Sequence, residues 1–186
     1  MLSDRQRRQL LRIAREAIEV VHAGRALEWD AADFDDDLRR PAGAFVTLKT
    51  KSGDLRGCIG SIHPVHPLYE AVTSSAISAA FRDPRFVPVQ PQELPHLEIE
   101  ISVMGPIERV ATPDDILVGR DGLIVSRGRY AGLLLPQVAT EYGWERDTFL
   151  AQTCVKAGLP PLAWRMEDTR IERFAAEVFG EFVSGQ

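Results

Sequence analysis

The sequence predicts an α+β protein in which helices flank antiparallel strands. In the N-terminal segment, apolar residues recur at the spacing of an amphipathic helix: Leu10, Ala14, Ala17, Ile18 and Val21. Residues 44–50 and 55–61 are rich in apolar side chains and are separated by turn residues, as in a β-hairpin. Residues 97–104 alternate between apolar and polar, which is typical of a half-buried antiparallel strand.

The N-terminal helix has recognisable start and stop signals. Ser3 and Gln6 have the spacing of a capping box, and Gly24 is suited to end the helix. We expect the apolar face of this helix to pack on its own domain; the alternative is a helix that binds a partner. After this helix, the acidic stretch from Glu28 to Asp37 is predicted to be a connecting segment at the surface, anchored by the aromatic side chains of Trp29 and Phe34.

The remaining elements follow from apolar periodicity and from glycine and proline positions. A helix rich in alanine and serine is predicted from Leu68 to Ala80, followed by a turn at 82–86. Gly105-Pro106 is expected to end the strand that starts at Leu97. Beyond it we expect a short helix after Thr112, a hairpin (123–126 and 130–135) and helices near 137–142 and 146–157. Residues 170–182 fit a strand or a helix; we favour a strand that returns to the first sheet.

Composition excludes several classes of protein. The 186 residues carry a net charge of −5, which disfavours a large nucleic-acid footprint. Two cysteines, Cys58 and Cys154, are too few for a disulfide framework or a four-cysteine zinc site. The first 24 residues lack an apolar signal-peptide core, and no apolar run approaches the roughly 20 residues that a membrane span needs. We therefore expect a cytoplasmic protein that does not enter a membrane.

The segment Leu55-Arg56-Gly57-Cys58-Ile59-Gly60-Ser61 is the candidate functional centre. In a strand, Arg56 and Cys58 share one face and lie roughly 6.5 Å apart, so that the guanidinium favours the thiolate. Gly57 and Gly60 leave room on both sides of the cysteine, and glycine inside a strand often marks close approach of a ligand or another backbone. The alternative is that Cys58 is a structural cysteine, which acts as a small hydrophobic side chain in the core. We interpret Cys154 as structural in the same sense.

Three further groups of residues are weaker candidates. His63 and His66 follow the key strand and either bind a metal or lie in a solvated loop; without a third ligand, no metal site is predicted. Glu98 and Glu100 are either general bases or solvent-exposed strand residues. The acidic cluster around Asp35 lacks the glycine and glutamate of an EF-hand loop, and no phosphate-binding loop is present.

The hexapeptide Leu55–Gly60 resembles the hallmark of the AMMECR domain family, named for the AMME syndrome candidate gene; its bacterial and archaeal members are called AmmeMemoRadiSam system protein A. Further motifs are similar to those of the family and occur in the family's order: Ala80–Phe86, the hairpin at Gly122, Leu135–Ala139 and Lys156–Gly158. The resemblance covers roughly residues 42–158.

The resemblance implies an architecture of two unequal subdomains. The larger, at about 1–105 and 162–186, would contain an antiparallel sheet flanked by helices and would be built from both chain ends. The smaller, at about 106–161, would have a short antiparallel sheet of its own. The hexapeptide would face a cleft between them, able to admit a large, protein-like substrate but lacking the positive lining that nucleic acid requires.

The family's activity is not established, so two hypotheses remain. In the first, the chain is an enzyme or enzyme subunit with Cys58 as nucleophile and with substrate contacts from Arg56, Gly57, Gly60, Ser61, Asp83 and Arg85. In the second, it is a non-catalytic binding module for the Memo-type and radical-SAM proteins that the family name implies as partners. Asp83 and Arg85 either line the cleft or form an Asx-type turn with a structural ion pair. No cofactor is predicted.

Overall fold

The computed structural model describes residues 1–181 as two compact units. The first unit is Met1–Met104 together with the described residues from Glu177, and the second is Gly105–Ala176. The sequence places the crossing into the second unit at nearly the same residue, but it places the return near residue 162. Residues 162–176 instead group with the second unit, because residues 170–175 pair with residues 121–126 in an antiparallel ladder.

Helix α1 (Asp4–His22) begins with the predicted capping box. The Ser3 N–H donates to Gln6 Oε1 at 2.7 Å, and the Gln6 N–H donates to Ser3 Oγ at 3.4 Å. The apolar face is buried within its own unit, as expected, through Leu10, Ile13, Ala14, Ala17 and Ile18. In residues 1–181, no helix is both long enough and apolar enough to cross a membrane.

The acidic connection after α1 contains one 3₁₀ turn (Ala31–Asp33) and a short helix, α2 (Asp36–Arg39). Phe34 is buried and stacks on Tyr69, with ring centroids 4.1 Å apart. The stretch is therefore anchored to the core by an aromatic side chain, as the sequence predicts, while its carboxylates remain at the surface or near Gln6.

The first unit contains the antiparallel strands β1 (Ala44–Thr50) and β2 (Leu55–Ser61) and the larger part of β3 (Leu97–Arg109). These strands are neighbours in the order β2-β1-β3, and the helix α3 (Leu68–Phe81) follows β2 in the chain. The helices α1 and α3 cover one face of this sheet around Val46, Leu48 and Ile101. The predicted hairpin and helix are therefore confirmed, and β2 lies at the edge of the sheet.

The prediction that Gly105-Pro106 ends the strand is wrong, because β3 continues to Arg109. The Met104 N–H points toward the β1 side of β3 and donates to Gly43 O at 2.9 Å. Since N–H groups alternate along a strand, position 106 points to that same side. Pairing with β1 ends at Val103, so Pro106 lacks an N–H where no ladder partner requires one.

The second unit contains β4 (Asp121–Arg127), β5 (Tyr130–Leu134), α4 (Pro136–Glu141), α5 (Arg146–Lys156) and the larger part of β6 (Arg170–Gly180). Its strands belong to a six-stranded antiparallel sheet with the order β2-β1-β3-β6-β4-β5, rather than to the separate short sheet that the resemblance implies for this unit. Leu123, Phe149 and Leu150 are fully buried in its core. The C-terminal segment is thus a strand, as favoured from the sequence, although the predicted end at Phe182 lies outside the described residues.

The far end of β6 joins the first unit through ion pairs with α1. Glu177 accepts hydrogen bonds from the Leu2 N–H at 3.0 Å and from Arg7 Nε at 2.9 Å. Glu181 accepts from Arg15 Nε at 2.7 Å, and donation to this carboxylate raises the pKa of the arginine. Both ends of the described chain therefore contribute to the same unit.

Candidate functional site

The side chains of β2 alternate as predicted, and the two glycines serve different contacts. A Cβ at Gly57 would lie 2.2 Å from Ala79 O, so Gly57 faces α3 and allows the helix backbone to approach the strand. A Cβ at Gly60 would lie 2.2 Å from Ala44 O and 2.6 Å from Phe45 Cγ on the neighbouring β1. Glycine at both positions is therefore required by close packing within the unit.

Arg56 is paired with Glu93 rather than with Cys58. Its Nε and Nη2 donate to the two carboxylate oxygens of Glu93 at 2.7 and 3.1 Å, and only 12% of the Arg56 side chain is exposed. The guanidinium also lies over the Phe86 ring, 5.9 Å from its centroid. Hydrogen bonding to Arg56 lowers the pKa of Glu93, although burial acts in the opposite direction. The charge that the sequence assigns to the thiolate is thus neutralised by a carboxylate 37 residues away.

Asp83 and Arg85 hold the main chain of Cys58. The Cys58 N–H donates to Asp83 Oδ2 at 2.9 Å, and Arg85 Nη2 donates to the Cys58 carbonyl at 3.2 Å. The same Nη2 donates to Asp83 Oδ2 at 2.7 Å, and the Arg85 N–H donates to Asp83 Oδ1 at 3.1 Å. The ion pair and Asx-type turn predicted from the sequence are therefore present. Together they occupy the outward-facing main-chain groups of β2 at Cys58, and we call this arrangement the Asp83–Arg85 cap.

The Asp83 carboxylate is almost fully buried, with 1% of its side chain exposed, whereas half of the Arg85 side chain is exposed. The hydrogen bonds from Arg85 hold the pKa of Asp83 far below its usual range, although burial acts in the opposite direction. The main-chain N–H groups of Cys58 and Arg85 lower it further. Asp83 is therefore a fixed anion that connects the loop 82–86 to β2.

The thiol of Cys58 is half-buried, and its Sγ accepts a hydrogen bond from Thr47 Oγ1 at 3.3 Å. Thr47 is the residue directly opposite Cys58 in the β1–β2 register. On the same sheet, Lys49 Nζ donates to Glu100 Oε2 at 2.9 Å, so this candidate general base is held by a lysine. Cys154, by contrast, is completely buried, and burial raises the pKa of its thiol.

A pocket of about 290 Å³ lies where β2 ends, between that strand, α3 and the loop 62–66. The polar part of its lining comes from Gly60, Ser61, His63, His66, Ser74, Ser75 and Ser78. His66 Nδ1 lies 3.8 Å from Glu70 Oε2. Among residues 1–181, no group of histidine, cysteine and carboxylate side chains has the geometry of a metal site. The structure thus brings Ser61 and the two histidines together with serines of α3, whose part in a pocket the sequence does not reveal.

Comparison with known proteins places the chain in a family. The family model described as AMMECR1 matches residues 11–179. The chain belongs to the AMMECR1 family. Its AMMECR1-family relatives include a protein of Thermococcus gammatolerans, 50% identical over 92% of this chain and 88% of the relative, and one of Methanothermobacter thermautotrophicus, 50% identical over 97% and 96%.

A solved structure shares the fold of this AMMECR1-family chain. The crystal structure of the uncharacterized protein PH0010 from Pyrococcus horikoshii matches with a TM-score of 0.85 and 46% sequence identity, and the match covers 95% of this chain and 92% of that one. The α+β fold class and the family resemblance predicted from the sequence are both confirmed.

Proposed function

We propose that this AMMECR1-family chain is a non-catalytic binding module that holds a segment of a partner polypeptide at the outer edge of β2. One observation carries the proposal: the edge is capped by charged side chains at Cys58 and remains open two residues later, at Gly60, beside a pocket. An open strand edge presents main-chain donors and acceptors to another chain, and this is a recurring mode of peptide recognition.

The charged residues of the motif support binding more than chemistry. Arg56 is occupied by Glu93, and Arg85 is occupied by Asp83 and the Cys58 carbonyl. Both guanidiniums therefore fix the shape of the strand and the adjoining loop. Gly57 and Gly60 act in the same direction, because each permits a close backbone approach that sets the position of β2.

A protein partner suits the surface chemistry of the chain. The net charge of −5 disfavours phosphate backbones, whereas a strand edge recognises any polypeptide through its main chain. The Memo-type and radical-SAM proteins suggested by the family resemblance are the partners that we propose. The proposal includes the cytoplasmic location predicted from the sequence.

The proposal is tested by separating the thiol of Cys58 from its main chain. Cys58→Ser keeps the strand and the cap, so we expect it to bind the Memo-type and radical-SAM proteins of the source organism as the wild type does. Gly60→Val would place a side chain against Ala44 and Phe45 of β1 and displace β2 at Gly60, so it should weaken binding at least tenfold. Affinity is measured by biolayer interferometry on the full chain, with circular dichroism to confirm folding.

A matched control, Gly128→Val, changes a glycine at which a Cβ would meet no neighbouring atom within 4 Å. Its left-handed backbone, with φ of 58°, imposes a strain cost of its own. Loss of partner binding in Cys58→Ser, with Gly60→Val and Gly128→Val both unaffected, would contradict the binding-module proposal.

A second function, catalysis by the Cys58 thiol, is favoured by the Thr47 hydrogen bond to Sγ. A hydroxyl donor stabilises a thiolate, and the thiolate is the nucleophilic form of cysteine. The test is the rate of Cys58 alkylation by iodoacetamide against pH in a Cys154→Ser background, with and without Thr47→Val. Catalysis predicts fast alkylation below pH 7 that Thr47→Val slows; a rate like that of a free thiol, unchanged by Thr47→Val, contradicts it.

A further inference from the structure

The open edge of β2 is short, and this decides which part of a polypeptide it can accept. The N–H and C=O groups of Cys58 point away from β1, as their hydrogen bonds with Asp83 and Arg85 show. The alternation of an antiparallel ladder turns the main-chain groups of Gly60 to the same outer side. Since the Asp83–Arg85 cap occupies the edge at Cys58, an added chain cannot continue past Gly60 along β2. A chain end fits this geometry, whereas the middle of a long strand does not.

The pocket beside Gly60 has the size of a chain end. Its volume of about 290 Å³ corresponds to roughly ten water molecules, since each water takes about 30 Å³ of the liquid. This space suffices for a terminal main-chain group with one or two small residues. It lies at the lower end of the usual range for ligand pockets, which is about 300–1,000 Å³.

The chemistry of the lining selects a carboxylate terminus over an amino terminus. Hydroxyl groups of Ser61, Ser74 and Ser78 and the imidazoles of His63 and His66 can all donate hydrogen bonds, and no carboxylate belongs to the lining. Glu70 lies outside the lining, with Oε2 3.8 Å from His66 Nδ1. The pocket also includes Ala71 in the first turn of α3, whose N-terminal end carries a partial positive charge.

We infer that this pocket binds the C-terminal carboxylate of a partner polypeptide, with the last residue of that chain beside the main chain of Gly60. The inference rests on the proposed polypeptide-binding function and names the part of the polypeptide that is recognised. The Gly60 N–H and the serine hydroxyls hold the carboxylate oxygens, and the imidazoles donate further hydrogen bonds.

The experiment uses the full ¹⁵N-labelled chain and two matched probes. One is an N-acetylated hexapeptide library with its last four positions randomised and a free C-terminal acid; the other is the same library as the C-terminal amide. We expect the free-acid library to shift the amide signals of Gly60, Ser61 and Ser74, and the amide library to bind at least tenfold more weakly. Inorganic phosphate is titrated separately as a further anion.

A charge variant tests the location. Ser74→Asp places a carboxylate at an exposed position of the pocket and should abolish the shifts caused by the free acid. Thr148→Asp makes the same type of change at an exposed site on α5, outside the pocket, and should leave the shifts intact. Melting temperatures confirm that both variants fold.

Several outcomes would overturn the inference. Equal shifts with the acid and the amide would remove the carboxylate but leave polypeptide binding at this edge. Shifts with phosphate alone would assign the pocket to another anion. No shift with either library, in a chain that still binds its protein partners, would overturn the inference alone; failure of the partner proteins as well would overturn the proposed function with it.

Discussion

The buried carboxylate of Asp83 accepts the main-chain N–H of Cys58 at 2.9 Å, which connects a proline-containing loop to an edge strand 25 residues earlier in the chain. Arg85 completes the connection by donating to the Cys58 carbonyl. The strand edge at Cys58 is therefore closed by two side chains rather than by another strand.

Asp83→Ala should destabilise the first unit. The change leaves the Cys58 N–H without its acceptor, and an unpaired buried polar group costs about 1–3 kcal/mol. It also removes the carboxylate partner of Arg85, whose half-exposed guanidinium water can solvate. We expect the free energy of unfolding in urea to fall by about 2 kcal/mol or more. Asp36→Ala is the control, because 93% of the Asp36 side chain is exposed, and it should change stability little. Equal effects of the two changes would contradict the structural role of Asp83.

Asp83 should also make stability depend on pH on the acid side. Its pKa in the folded chain lies below the unfolded value of about 3.9, so its contribution is complete above that pH and is lost as the pH falls toward the folded value. Unfolding free energies measured between pH 6 and pH 3 should therefore fall more steeply in the wild type than in Asp83→Asn. Parallel curves for the two proteins would show that Asp83 does not titrate as described.

Arg56 and Glu93 should be energetically coupled. Arg56→Met and Glu93→Gln each leave one member of a mostly buried ion pair without its partner, whereas the double variant leaves neither charge. A double-mutant cycle on unfolding free energies should give a coupling of about 1–2 kcal/mol, within the range for residues in contact. Arg12 and Glu16, an exposed pair on α1, serve as the comparison and should couple by less than about 0.5 kcal/mol. Additive effects at Arg56 and Glu93 would mean that their contact contributes nothing.

Gly57→Ala should destabilise the chain through a steric clash alone. The added Cβ would lie 2.2 Å from Ala79 O, so β2 and α3 must separate, at a cost of about 1–3 kcal/mol. Gly53→Ala is the comparison, since a Cβ there meets no atom within 4 Å and the only cost is its left-handed backbone. Thermal melting measures both. A Gly57→Ala protein as stable as the wild type would contradict the close contact.

The structural elements that the sequence predicts correctly are those whose signals are local in the chain. The capping box of Ser3 and Gln6, the hairpin around Gly53 and the apolar face of α1 each depend on residues a few positions apart. The alternation within β2 was also predictable, because period two follows from strand geometry alone.

The contacts that define the candidate site are not local, and the sequence did not reveal them. Arg56 forms an ion pair with Glu93, 37 residues away in the sequence, and the Cys58 N–H donates to Asp83, 25 residues away. Arg56 and Cys58 lie on the same strand, as predicted, but the guanidinium of Arg56 pairs with the carboxylate of Glu93 in a distant loop. At Pro106, the rule that proline ends a strand failed because the side of β3 from which the N–H is missing has no ladder partner there.

The ion pairs of Glu177 and Glu181 with α1 have a consequence for the order of events during translation. Leu2, Arg7 and Arg15 are synthesised before their partners, which are made only after the whole of residues 105–176. At about 5–20 residues per second, the 170 residues that separate Arg7 from Glu177 take roughly 8–35 s to synthesise. The second unit, which is continuous in the chain, is completely synthesised before Glu181 is added. We expect α1 to be secured only after Glu177 and Glu181 have been added, and the nascent chain to be exposed to aggregation and to chaperones through the apolar face of α1 until then.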